Sequence, residues 1–543
     1  MRINRARARW FAFSASAVGT LVVLVRCSSV DPSIGSSTGA VISSPYDAGG
    51  TIDPVEQEPS AVWNTAANPF GQAVPQLVVG YNDESASEGL LGKAISPDGI
   101  TFTKCNILAA CNGSLDVSRV GSVKTFLRHH TVVADGFGDV VYVTLADTDG
   151  DTSNAESVVA LLSTDSGTTF SAAFPVNADS CSNGKQDMPH AAFDYTTNPP
   201  TLWIVWRHNG SGGSFGGCIR RFFINTSSGT PLITPLDQAL DVVGMDRDAL
   251  IGGSQGGLEV QAGDGVVTVV YANSDENDNC PTTEHHGVGW GSVATFDNGQ
   301  DWVDHARMFH TDNWHSCLSG SAAMTIQNSI RSFDFVRTPT GIEYVAIADT
   351  PQTIRLFMNA AAGTKGWETP LNTVNPWFEF CPGTNTTPGD PTSPTRNWIP
   401  FEDGPCASAL FQTPSNLRLM QPTIASDGDD QIAVGFYLFD LALPNFVQVA
   451  QLNGNPLLPG SPFNFTTPAA LGGTVAPSAI TTTEQTAVQP FGAYFNMIPR
   501  EYAAGGGLIT PGCSGEGDFM SLFVEASDAG TSQIGVRGIR PVN

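Results

Sequence analysis

Lysine is nearly absent from this chain: the five are Lys93, Lys104, Lys124, Lys185 and Lys365 in 543 residues. Charged residues make up only 14%, and 52 acidic against 25 basic side chains leave a net charge of −27. Five of the arginines (Arg2, Arg5, Arg7, Arg9, Arg26) crowd the N-terminus, so the rest of the chain is more acidic still. Such a field repels phosphate backbones and anionic headgroups, which argues against nucleic acid as a partner and leaves the membrane only to whatever the N-terminus carries. No pair of Cys-x-x-Cys spacings occurs to hold zinc, and no Gly-rich phosphate loop, Gly-x-Ser-x-Gly elbow or Cys/His nucleophile signature stands in a strand-and-helix context. Long helices are also excluded, because 57 glycines and 36 prolines interrupt the chain too often. A hydrophobic content of 41% is nevertheless ample for a large core.

Four arginines precede Trp10, and the acid-free run FAFSASAVGTLVVLV follows. This is the charged and apolar order of a secretory signal, so residues 1–27 are set aside from the fold. Leu24-Val25-Arg26-Cys27-Ser28 resembles a bacterial lipoprotein box, with Arg26 where a small residue is usual. The resemblance implies a lipidated Cys27 on an outer-membrane or cell-surface protein; the alternative is a secreted or periplasmic one. Residues 28–60, rich in Ser, Gly and Pro, read as a tether of roughly 30 Å.

An exported chain with ten cysteines meets oxidising conditions. Short loops suggest the pairs Cys105 with Cys111, Cys181 with Cys218, Cys280 with Cys317, and Cys381 with Cys406, leaving Cys513 over.

One turn recurs: Ser96-Pro97-Asp98-Gly99-Ile100-Thr101-Phe102, Ser163-Thr164-Asp165-Ser166-Gly167-Thr168-Thr169-Phe170, and Thr295-Phe296-Asp297-Asn298-Gly299-Gln300-Asp301-Trp302. In each, a hydroxyl and a carboxylate can accept turn amides, Gly takes positive φ, and the aromatic covers an edge. The three aromatics fall one and then two repeat units apart, as though one intervening unit had lost its turn. Strand pairs rich in β-branched and aromatic residues begin near Val62, His130, Ala191, Val260, Phe333, Pro422 and Phe495. These predict an all-β fold, a β-propeller of four-stranded blades over residues 61–543, with seven blades favoured over six.

The same residues resemble the sialidase-like propellers that carry Asp-box repeats. The resemblance rests on the three turns, on Glu58-Pro59-Ser60-Ala61-Val62 leading to Leu77-Val78-Val79-Gly80-Tyr81-Asn82-Asp83, and on Gly517-Asp518-Phe519 before Gln533-Ile534-Gly535-Val536. Catalytic sialidases hold the substrate carboxylate with three arginines and use a Tyr nucleophile assisted by Glu, with an Asp as acid/base. Their Arg-Ile-Pro motif does not occur here; Ile498-Pro499-Arg500 runs in the opposite order, beside Glu501 and Tyr502.

Residues just before the innermost strands of a propeller converge on its central mouth. They are Arg128, His129 and His130, Asp187 and His190, Arg331 and Asp334, and Gln421. Arg128, His129, His130, His190, Arg331 and Gln421 are candidate ligand-binding residues, and Asp187 with Asp334 is the candidate catalytic pair. The plainer alternative is that they hydrogen-bond neighbouring blades along a wet channel. Asp147, Asp149 and Asp151 have a spacing that can wrap calcium, although no cofactor is required. The expectation is a monomeric recognition module for an extracellular glycan or protein. The alternatives are an exo-acting glycoside hydrolase and a structural envelope protein.

Overall fold

The computed structural model describes the strands between Val41 and Ile539 and the short turns joined to them; residues 1–40, 540–543 and most longer connections lie outside the described residues. Met1–Asp31 and Pro32–Asn543 are separate units, and every described strand belongs to the second. No helix among the described residues is long and apolar enough to cross a membrane.

The strands pair into seven sheets, all antiparallel neighbours, four of them four-stranded and the others five- or six-stranded. In chain order the first strands are Glu56–Asn64, Thr125–Ala134, Lys185–Asp194, Leu258–Gly263, Phe333–Arg337, Leu417–Ser426 and Asn496–Pro499. Each packs on the first strand of the next sheet, and the last returns to Glu56–Asn64. The first strands therefore close a ring, the arrangement of an all-β propeller. Val41–Ile42 supplies the outer strand of the last sheet by pairing with Ile534 and Gly535, and Glu56–Ser60 opens the first inner strand. Both stretches fall inside the segment expected to be tether, so sheet-forming residues begin well before position 61.

Stacking face to face explains why the middle strands read as unbroken apolar runs. Val140–Asp147 is buried at every position. Val140 and Tyr142 pack against Val78 and Leu91 of the first sheet, while Val141 and Val143 meet Leu202, Ile204 and Trp206 of the third. Alternate residues of a strand point to opposite faces, and here each face meets another sheet rather than water. Trp203 and Val205 continue the stack onto Val267, Val269 and Tyr271 of the fourth. Gly80 is required by this closeness, since a Cβ there would lie 2.7 Å from the Tyr142 ring of the second sheet, while Gly92 makes room within its own sheet for the Tyr81 ring, 2.2 Å from where a Cβ would stand.

Of the three recurrent turns, residues 163–170 are described throughout; 98–101 and 296–301 lie outside the described residues. Ser163 Oγ donates to Asp165 Oδ1 at 2.7 Å and accepts from Gly167 N at 2.7 Å. Asp165 accepts from Thr169 N at 2.7 Å and Thr169 Oγ1 at 2.6 Å, and Gly167 takes φ of 84°. The first sheet grips this turn: Asn64 Nδ2 donates to Ser166 Oγ at 2.7 Å, and Gln76 Nε2 donates to Ser166 O. Lys93 Nζ, fully buried, donates to Thr168 O at 2.5 Å and lies 5.1 Å from the Phe170 ring centroid. Burial lowers the Lys93 ammonium to about 8, opposed by the nearby Asp165 charge.

The hairpin tip after the second inner strand is held by two carboxyls. Asp135 Oδ1 accepts from Phe137 N at 2.7 Å and Asp139 N at 2.9 Å. Asp139 is 7% exposed and is pushed up to about 7 by burial, then by the charge of Asp135 and its hydrogen bond to it. Asp135 is pushed to about 6 by burial, against its backbone donors. One proton shared between two buried carboxyls is the arrangement these values describe.

Candidate functional site

Four inner strands carry a β-bulge at a similar level: between Gln57 and Ser60, Phe126 and His130, Asp187 and His190, and Met420 and Thr423. Three of the bulges contain proline, in Glu58-Pro59-Ser60, Met188-Pro189-His190 and Gln421-Pro422-Thr423. Proline has no amide to offer a ladder and settles where pairing is interrupted. The bulge separates the side chains at the strand start, before it, from those after it.

Just before the bulge of the third inner strand, Asp187 stands opposite Arg207 in strand register and the two form an ion pair. His129 Nε2, from the neighbouring sheet, lies 3.4 Å from Asp187 Oδ1. Met188 N also donates to Oδ1, at 2.9 Å. The Arg207 side chain is 4% exposed and that of Asp187 21%, so the cation is buried beneath a carboxylate that still reaches solvent. His129 and Met188 both hold positive φ, 65° and 47°. Left-handed backbone at non-glycine residues costs on the order of 1 kcal/mol or more and gathers at ligand sites. The local chemistry is a fixed acceptor next to an imidazole, held by backbone that the fold keeps strained.

Four inner strands, two of them just after a bulge, each offer a side chain to a backbone amide of the next sheet. Ser60 Oγ accepts from Val132 N at 3.0 Å, His190 Nδ1 from Val260 N at 3.3 Å, and Asp334 Oδ2 from Ile424 N at 2.8 Å. Glu259 takes the Phe335 amide in the same way. His190 accordingly stays neutral, burial lowering it to about 4. Asp334 also accepts from Thr423 Oγ1 at 2.6 Å and shares a hydrogen bond with Glu259. Burial raises both carboxyls, Asp334 to about 6 and Glu259 further, with the Asp334 charge adding to the second.

The candidates thus separate. His129 and Asp187 come together at the strand starts, joined by Arg207. His190 and Asp334 act as fastenings between sheets, each with partners of its own. His130 is 2% exposed and stacks on Tyr142 at 5.1 Å. Arg128 and Gln421 lie on inner strands, but their side chains, like the whole of Arg331, fall outside the described residues. Asp147 is buried at a strand end; Asp149, Asp151 and Cys27 are outside, and no metal-ligating cluster occurs among the described residues. Cys218 and Cys381 are buried and disulfide-bonded; the side chains of Cys105, Cys111, Cys181, Cys280, Cys317 and Cys406 are outside the described residues. Sequence reading missed Arg207 and Glu259. Counting hairpin register across from Asp187 would have found Arg207; no local signal marks Glu259.

The closed ring of stacked antiparallel sheets makes this chain an all-β propeller. No family model and no curated protein matches its sequence. Among solved structures it is similar to the α-L-arabinofuranosidase Arb93A of Fusarium graminearum, at 12% identity over 74% of this chain and 92% of that one, with a TM-score of 0.38. A Penicillium chrysogenum α-L-arabinanase complexed with arabinobiose gives 13% identity, 75% and 99% coverage and 0.37. The Trypanosoma rangeli sialidase gives 12%, 76%, 54% and 0.37. Likeness at this level transfers no residue role.

Proposed function

We propose that this protein is an exported, surface-tethered propeller that recognises an extracellular glycan at the mouth built from His129, Asp187 and Arg207. The observation that carries the reading is the partly exposed Asp187 carboxylate, pinned by a buried arginine and flanked by strained backbone. A preorganised acceptor beside an imidazole suits the hydroxyl edge of a neutral sugar, and the acidic surface disfavours strongly anionic ligands. A glycoside hydrolase would need a second carboxyl at the same mouth. Asp334, proposed for that role from sequence, is committed to Thr423 and Ile424 across a sheet boundary, which favours recognition over hydrolysis.

The same proposal takes each of the seven sheets as a blade, the recurrent turns as Asp boxes, and Cys27 as a lipid anchor. It pairs Cys181 with Cys218 and Cys381 with Cys406, and leaves calcium to the 147–151 loop. The test is a glycan array together with fluorogenic glycosides, a sialoside included, on the mature chain and on Asp187→Asn and His129→Ala. Array binding lost in both variants, with no turnover, is the expected result. Turnover abolished by Asp187→Asn would replace recognition with hydrolysis.

A further inference from the structure

Ser60, His190 and Asp334 border a space that is not filled, on the side of the ring where the inner strands run into their hairpin turns. A cavity of about 450 Å³ lies there, walled by the downstream ends of all seven inner strands and by their hairpin turns. This is within the range of small-molecule sites. Its wall brings together Trp63 and Tyr195, the amide of Gln261, the Asp264 carboxylate, Arg337 and Ser426.

The charges on this wall are unequal in availability. Arg337 Nη1 donates to Glu343 Oε1 at 3.0 Å, and Glu343 is fully buried, so the arginine's charge is met from within the sheet. Its buried Nη2 has no acceptor among the described residues. Asp264 is exposed, at a turn where it takes φ of 56°. Beside it, a Cβ built on Gly265 would meet nothing within 4 Å, so the rim is open at this turn. Tyr195 spends its hydroxyl on Ala134 O at 2.8 Å and leaves a ring 40% exposed. An internally neutralised cation, a free carboxylate, two aromatic faces and scattered hydroxyls exclude an anion. They fit a neutral ligand with an apolar face and a hydroxyl edge.

We propose that the hairpin-side cavity is a second ligand site, taking a neutral mono- or disaccharide against Trp63 and Asp264. It is independent of the mouth reading, because neither His129 nor Asp187 lines it. The test is calorimetric titration of the mature protein with maltose, cellobiose and lactose. Wild type should bind at least one of them. Trp63→Ala should weaken that binding tenfold or more, and Asp264→Asn severalfold, while Asp187→Asn should leave it within twofold. Asp264 sits in an exposed turn, so its asparagine variant keeps the test valid if Trp63→Ala fails to fold. No binding by wild type, or binding lost only in Asp187→Asn, overturns the proposal. Loss of array binding in Asp187→Asn with saccharide titration unchanged would separate the two sites.

Discussion

Asp139→Asn should stabilise this protein, and by an amount that grows with pH. In the fold Asp139 is held near 7 instead of its ordinary 3.8, because burial and Asp135 both disfavour its charged form. A carboxyl whose folded pKa is raised binds more protons folded than unfolded between those two values, so stability is lost as pH rises through that window. At about 1.36 kcal/mol per pH unit the full cost is roughly 4 kcal/mol above the folded pKa. Asparagine can donate to Asp135 without taking up a proton, so it escapes this cost. Its advantage should grow by about 3 kcal/mol from roughly pH 5 to roughly pH 8, worth on the order of 5 °C in a domain of this size. Melting curves of both proteins at constant ionic strength read this directly. An equal shift at both pH values, or destabilisation at the higher one, would refute the shared-proton account. Asp135→Ala is the control: it removes the acceptor for Phe137 N and Asp139 N and should destabilise throughout.

Asp165→Ala removes the acceptor of Ser163 Oγ, Thr169 N and Thr169 Oγ1, and should cost about 2–4 kcal/mol by denaturant titration. Gly92→Ala pushes a methyl into the Tyr81 ring and should cost about 1–3 kcal/mol, without altering ligand binding. Asp334→Ala strands the Ile424 amide and should destabilise by about 1–3 kcal/mol, whereas Asp334→Asn keeps an acceptor and should recover much of the loss. Arg207→Ala leaves Asp187 without its buried cation and should both destabilise, by about 3–5 kcal/mol, and abolish recognition at the mouth.

Strand pairs were legible because they are local. Val132-Val133-Ala134 and Val140-Val141-Tyr142 announce a hairpin through their own composition, and the turn residues between them fix its position. What joins one sheet to the next was not legible. Ser60 and Val132 are 72 positions apart, His190 and Val260 are 70, and Asp334 and Ile424 are 90. Nor do the four fastening residues share a type: a hydroxyl, an imidazole and two carboxyls do the same work. His190 and Asp334 have the right chemistry at strand starts, but the bulge between Asp187 and His190 turns the first to its neighbour, and Asp334 reaches Thr423 and Ile424 with no bulge to announce it. The three Pro-containing tripeptides were the available sign of the bulges.

The last of the described sheets is completed by the first described strand. Val41 and Ile42 supply its outer edge, and they do so by pairing with Gly535 and Ile534. Synthesis proceeds from the N-terminus, so the growing protein carries an outer strand long before the edge that receives it has been made. Until Ile534 and Gly535 emerge, Val41–Ile42 and the facing side of Phe519–Ala526 are unsatisfied sheet edges, the condition under which strands add to foreign chains. Whatever keeps the nascent molecule from self-association must therefore act until that strand is made, and a deletion of Ser532–Ile539 alone should leave a protein that polymerises instead of one that is merely less stable.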